Sequence, residues 1–201
     1  MAHDKSSLAP QRFLQRLGGT AKILAAAGLL YVLYGVSGAQ GNLAWSAVKK
    51  TIRVRFPKVT QLSTQKLAEW LTHSDAKPLL LDARTEEEFA VSHLQGAKLA
   101  ASEEEALKAI GTLDKDSPIV VYCSVGYRSS ALATRLIELG YDHVQNLEGS
   151  LFEWANEGRP IYSDSSKTDV VHPYDKVWGQ LLHKELWSTK LTDAKGEKKA
   201  D

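Results

Sequence analysis

Cysteine is almost absent: Cys123 is the only one in 201 residues. An internal disulfide is therefore excluded, and so are a Cys-rich zinc site and a resolving thiol in the same chain. Acid is scarce at one end. Residues 1–58 carry nine Lys or Arg and one acid, Asp4, for a net charge of +8. The other 143 residues carry 16 basic and 23 acidic side chains, net −7. Phosphate contacts need a basic face, so the acidic part argues against a nucleic-acid partner. Charge of either sign is missing between Lys22 and Lys49.

That uncharged run centres on "ILAAAGLLYVLYGV", 23–36, about the length of a signal-peptide apolar region. Basic residues precede it. The small residues Ser37 and Ala39 suit cleavage before Gln40. Taken through Val48, the run is instead long enough for an uncleaved anchor across a ~30 Å hydrocarbon core. A third reading is a buried or amphipathic helix packed on the main domain. Membrane attachment through 23–48, or export to an extracytoplasmic compartment, is the expectation. Basic residues flank the run on both sides, so its orientation is not determined. The next segment, "TIRVRFPKV", alternates apolar and basic. It reads as an extended lead-in at a membrane surface or as an edge strand.

From Val59 the periodicity changes. "STQKLAEWLTH" opens on Ser63 as a helix cap, with Leu67, Trp70 and Leu71 on one face. "PLLLDAR", 78–84, and "SPIVVYC", 117–123, are continuous apolar runs suited to strands buried on both faces. Between them, "TEEEFAVSHL" begins with Thr85 and three glutamates, which favour a helix N-terminus. "ASEEEALKAIGTL" repeats the device with Ser102 and Glu105. "SSALATRLIELG", 129–140, is a helix stopped by Gly140. "HVQNLEG" is a short strand, and "SLFEWANEG" a short helix. Strands alternating with helices define an α/β domain on a parallel sheet. The chain divides into a basic segment (1–22), a signal or anchor segment (23–48), a basic linker (49–58), the globular domain (59–163) and a C-terminal tail (164–201). The tail holds one helical pattern, "YDKVWGQLLHKELW", then a charged end. Its tryptophans either cover the core or form a docking face.

Ligand sites of open parallel sheets gather at the carboxyl ends of the strands, where Cys123 falls. A helix follows a few residues later, after Ser124, Val125 and Gly126. A short loop entering a helix points several N–H groups at one place and adds the positive helix end. A cysteine there is favoured as thiolate, below the free value of ~8.5. Arg128 adds a fixed charge with a planar fork suited to oxyanions. Alone, a cysteine closing an apolar strand is more often a small buried hydrophobe. Loop, Gly126 and Arg128 together make it a candidate nucleophile for an anionic substrate.

Four segments in order resemble the rhodanese-like, or sulfurtransferase, family. They are "VTQLSTQKLAEWL" (59–71), "LLLDARTEEEFAVSHLQGA" (79–97), "VVYCSVGYRSS" (120–130) and "NLEGSLFEWANEGRPI" (146–161). The resemblance implies a five-stranded parallel sheet with helices on both faces, here preceded by an N-terminal apolar helix. It implies that Cys123 takes a sulfane sulfur from a small anionic donor such as thiosulfate. The persulfide then passes sulfur to a thiol or cyanide, or to a protein acceptor. Ser124, Val125, Gly126, Tyr127, Arg128 and Ser129 would bind the substrate. Asp82, Arg84 and His93 would be structural residues of the pocket rim. No metal or cofactor is implied. Related phosphatases and arsenate reductases carry a loop one residue longer than the span from Cys123 to Arg128. No acid lies within the loop here to protonate a leaving alcohol. Other family members only bind partners, so a membrane interaction module is the second expectation and a small phosphatase or arsenate reductase the third. The family's second glycine after Leu147 is replaced by Ser150, which is expected to cap the helix that follows.

Overall fold

The computed structural model describes residues 38–164 and 166–189. The apolar run 23–36, the basic segment before it and the charged end 190–201 lie outside the described residues. The first element is helix α1, Gly38–Arg55. Ala44, Val48, Ile52 and Phe56 recur every four residues and are all buried, so one stripe of α1 faces the domain. Segment 49–55 is therefore helical, not an extended linker or edge strand. The short alternation from Ile52 to Phe56 is also a helical i, i+4 pair, and burial decides for the helix. Lys49 pairs with Glu153 at 2.6 Å and Arg53 with Glu148 at 2.9 Å, fixing α1 from the side. Among the described residues no helix is long and apolar enough to cross a membrane.

The domain then runs β1 (Thr60–Leu62), α2 (Thr64–His73), β2 (Leu79–Asp82), α3 (Glu86–Val91), β3 (Lys98–Leu99) and α4 (Glu103–Ile110). It continues through β4 (Ile119–Tyr122), α5 (Tyr127–Glu138), β5 (Val144–Leu147) and α6 (Ser150–Asn156). All five strands are parallel, in the order β1-β5-β4-β2-β3. Every residue of β4 is buried, which is why its sequence is a continuous apolar run rather than an alternation. Ser63 caps α2 by accepting from the Lys66 N–H at 3.2 Å. Thr85 and Glu88 form a reciprocal capping box at the start of α3, each satisfying an N–H that the helix itself leaves free.

Beyond α6, β6 (Ile161–Ser163) pairs antiparallel with β7 (Ser166–Thr168). The hairpin crosses position 163, so the folded unit extends past the expected boundary. The tail pattern is not one α-helix. It forms two short 3-10 turns, Trp178–Leu181 and Lys184–Leu186. Gly179 lies where an added Cβ would meet the Trp187 ring at 2.8 Å and Pro173 at 2.9 Å. That close approach folds the chain back instead of continuing a helix. Leu181 and Leu182 are buried, with Trp178 and Trp187 packed against the core. Covering the core is therefore the outcome for the tryptophans. The first turn also contacts α1, so the two flanking segments meet.

Candidate active site

Cys123 follows β4 directly, and α5 begins four residues later. Gly126 is the N-cap, with φ 107, a left-handed conformation that L-residues avoid. An added Cβ there would meet Asn146 Nδ2 at 3.2 Å and Ile52 Cδ1 at 3.4 Å. The turn aims the Gly126 N–H at the sulfur, 3.2 Å from Cys123 Sγ. The start of α6 holds the loop from the other side. The N–H groups of Leu151 and Phe152 donate to the carbonyls of Cys123 and Ser124 at 3.1 and 3.0 Å.

Ser150 does not cap α6; Gly149 occupies that position. Ser150 has φ 51, a conformation that costs a non-glycine residue about 1–2 kcal/mol. Its hydroxyl offsets that cost by bridging two backbone groups. It accepts from the Cys123 N–H at 3.2 Å and donates to the Leu147 carbonyl at 2.9 Å. The serine hydroxyl thus ties the backbone of Cys123 to β5.

Cys123 is 1% exposed. Burial pushes its thiol up. The charge of Arg128, hydrogen bonds from Ser129 and the Gly126 N–H pull it down, and the net value lies below the ordinary one. The Ser129 hydroxyl has one proton and two acceptors. Asn146 Oδ1 lies at 2.6 Å and Cys123 Sγ at 3.4 Å. The shorter contact takes the hydroxyl proton in the resting site, which leaves the backbone N–H groups of Ser129 and Gly126 as the steady donors to sulfur.

Glu88 completes the site, and its role was not read from the sequence. Its carboxylate receives both terminal nitrogens of Arg128, Nη1 at 2.7 Å and Nη2 at 2.8 Å. It also accepts from Ser124 Oγ at 2.8 Å and the Thr85 N–H at 3.1 Å. Burial pushes the Glu88 carboxyl up, but Arg128, Arg84 and the Thr85 N–H hold it at about 2. The fork of Arg128 is thus committed to Glu88 and Ser124. Toward the sulfur it acts as a nearby positive charge, not as an open oxyanion fork. The available signal was the Thr85-x-x-Glu88 spacing, because a capping-box glutamate turns back toward the chain before the helix.

The remaining expected residues separate into two groups. Ser124, Val125 and Ser129 are buried around the sulfur, and Tyr127 packs edge-on against Phe56, the residue after α1, at 5.1 Å. Asp82 and Arg84 are joined by bonds of 2.9 and 2.7 Å and are both 0% exposed. Arg84 also donates to the Ser92 carbonyl. This pair is sealed in the interior, not placed on a rim. His93 lies within 3.0 Å of the Phe89 carbonyl, stacks on the Phe89 ring and pairs its backbone with Tyr162. It joins α3 to the β6–β7 hairpin as framework. Among the described residues no cluster of His, Cys, Asp or Glu is arranged to hold a metal ion. A groove of ≈ 510 Å³ between α1 and α6, lined by Trp45, Lys49, Arg53 and Glu153 among others, includes no residue of the Cys123 loop.

A five-stranded parallel sheet defines an α/β domain, and Cys123 with the N-terminus of α5 stands at the carboxyl end of its central strand, where such sheets place ligand sites. Comparison with known proteins supplies the family. The Rhodanese-like domain model matches residues 63–157. The chain is 30% identical over 103 residues to a sulfurtransferase of Allochromatium vinosum, covering 51% of this chain and 94% of that protein. It is 35% identical over 83 residues to the thiosulfate sulfurtransferase GlpE of Actinobacillus succinogenes, covering 41% and 74%. The crystal structure of a thiosulfate sulfurtransferase from Pseudomonas aeruginosa shares the fold, with a TM-score of 0.50 and 18% identity over 59% of this chain and 22% of that one. The chain belongs to the rhodanese-like domain family, and its relatives support sulfurtransferase activity in general terms.

Proposed function

We propose that this protein transfers sulfane sulfur through a persulfide on Cys123, with thiosulfate or a similar small anion as donor. The observation that carries the reading is the sulfur itself, held at the N-terminus of α5 by the Gly126 N–H, with its thiol depressed by Arg128. The Cys123 thiolate attacks the outer sulfur of the donor. The S–S bond to the sulfonate sulfur breaks, and sulfite leaves with the electron pair. An acceptor thiolate or cyanide then attacks the bound sulfane sulfur, and the Cys123 thiolate departs with the electrons. Loop N–H groups, Gly126 foremost, stabilise the charge on each leaving group. Similarity to the two sulfurtransferases supports the reaction class. At 1% exposure, Cys123 requires movement of the loop or of a covering segment to admit a donor.

Phosphoryl transfer fits the site less well. The loop is one residue short of that expected for a phosphate cradle. Glu88, the carboxyl beside it, is held at about 2, so it is ionised at neutral pH and cannot protonate a leaving alcohol. The docking reading of the tail is likewise weakened, because Leu181 and Leu182 are buried against the domain.

Attachment to a membrane, or export, is assigned to the apolar run 23–36. The second half of the uncharged segment is committed to α1, with Ala44 and Val48 buried on the domain. Two measurements test the whole reading. Sulfite release from thiosulfate with cyanide as acceptor should be lost in Cys123→Ser. The full chain should sediment with membranes or appear in an extracytoplasmic fraction. Aryl phosphate turnover exceeding thiosulfate turnover would overturn the first part, and a purely cytosolic full-length chain the second.

A further inference from the structure

The chain after the matched region returns over the active-site loop as a strap. Its hold on the domain is internal and firm. Val170, Val171 and Pro173 are buried, and the Val171 N–H donates to the Leu186 carbonyl at 2.6 Å. Between these anchors Tyr174 has φ 64, a left-handed conformation rare for an aromatic residue. Local bonds hold it there. The Tyr174 N–H donates to His172 Nδ1 at 3.1 Å, and the Asp175 N–H donates to the Pro173 carbonyl at 2.8 Å. The outcome of that backbone geometry is a ring placed over the Arg128 guanidinium, 4.7 Å from its centroid. A strained backbone conformation persists only where its surroundings hold it.

Arg128 is held within its plane by Glu88 and Ser124. Neither contact restrains the guanidinium against tilting out of that plane, and its side chain keeps 22% exposure. The ring supplies the missing constraint through its negative face and excludes water from one side of the ion pair. The geometry points to Tyr174 as a positioning residue that fixes the Arg128 charge beside Cys123 and so sets the ionisation of the nucleophile. The inference rests on the proposed role of Cys123, and Tyr174 lies outside residues 63–157, where the family match falls. Other charged or titratable groups acting on this cluster are Glu87 and Glu88 of α3, Arg84 after β2, and His172 and Asp175 of the strap.

The test is the pH dependence of Cys123 alkylation by iodoacetamide in the full chain, which needs no sulfur transfer. Tyr174→Phe keeps the ring and should keep the midpoint. Tyr174→Leu should raise the midpoint by about half a pH unit, the scale set by an exposed cation–π contact. The rise should persist in a His172→Gln background, which removes the neighbouring histidine's own titration. Tyr174→Met replaces the leucine variant if that one does not fold. An unchanged midpoint in a folded Leu or Met variant would overturn the inference. So would an equal shift in Tyr174→Phe, which would assign the effect to the hydroxyl. Absence of sulfur transfer in the unsubstituted chain, with a Cys123 alkylation midpoint still below that of a free thiol, would instead count against the proposed function.

Discussion

Arg84 follows β2 and Arg128 follows the loop after β4, the strand hydrogen-bonded beside it. Each is paired with a carboxylate through two nitrogens. Arg84 takes its partner from two residues away and is sealed at 0% exposure. Arg128 takes its partner from forty residues away, keeps 22% side-chain exposure and is covered by a tyrosine of the strap. The first pair is a local clamp buried in the frame. The second ties α3, the nucleophile loop and the tail into one unit and leaves its charge within reach of the sulfur. The carboxyl end of the sheet thus carries two similar ion pairs, and the charge of the nonlocal one acts on Cys123.

The largest expected effect breaks the sealed pair. Asp82→Ala leaves Arg84 charged in the interior with the Ser92 carbonyl but no carboxylate beside it, at a cost of about 3–5 kcal/mol. Urea unfolding should show that loss, with only a small shift of the Cys123 alkylation midpoint, because Arg84 also acts on Glu88. A shift larger than that of Glu88→Gln would mean that Asp82 and Arg84 act on the sulfur directly.

Glu88→Gln should act on both stability and chemistry. The carboxyl sits at about 2 when folded, against an ordinary 4.5. Its contribution is therefore fully present above about 4.5 and is lost as pH falls toward 2, roughly 3 kcal/mol over that window. Unfolding followed from pH 6 to 2 should show this acid limb shrink in the variant, on the same linkage. With Glu88 neutral, the Arg128 charge is less compensated, so the Cys123 midpoint should move down. An upward shift would contradict that sign.

Gly126→Ala tests the turn that carries one of the sulfur's donors. Its left-handed backbone and 3.2 Å clearance from Asn146 predict a loss of roughly 1–3 kcal/mol, together with a raised alkylation midpoint. The smallest effect belongs to Ser129→Ala. Its hydroxyl donates first to Asn146, so stability should fall by about 1 kcal/mol with only a slight upward shift at Cys123. A shift as large as that of Gly126→Ala would show that the Ser129 hydroxyl is the main donor to sulfur.

The same contrast explains what could be read in the sequence. The strand–helix alternation, the Ser63 cap and the loop from Cys123 to Arg128 are local patterns, each confined to a few residues. Asp82 and Arg84 are equally local, although their full burial is not visible from two adjacent charges. The Glu88–Arg128 pair leaves only the Thr85-x-x-Glu88 spacing as a local trace, which singles out Glu88 among three glutamates but does not name its partner. Asn146, polar and 0% exposed in β5, stands beside Gln145, and two adjacent amides do not show which one turns inward. Helix α1 was hidden because Ile52, Val54 and Phe56 fit a period of two as well as part of a helical face. The tail fit a helical period, but Gly179 makes a close approach to Pro173 and Trp187 that no periodicity records.

Intact-mass measurement after incubation with thiosulfate tests the central claim most directly. The account predicts a gain of about 32 Da, one sulfur atom, removed by a thiol reductant. The gain should map to Cys123 and be absent from Cys123→Ser. No added sulfur on the folded protein with thiosulfate or any other sulfane donor would contradict it.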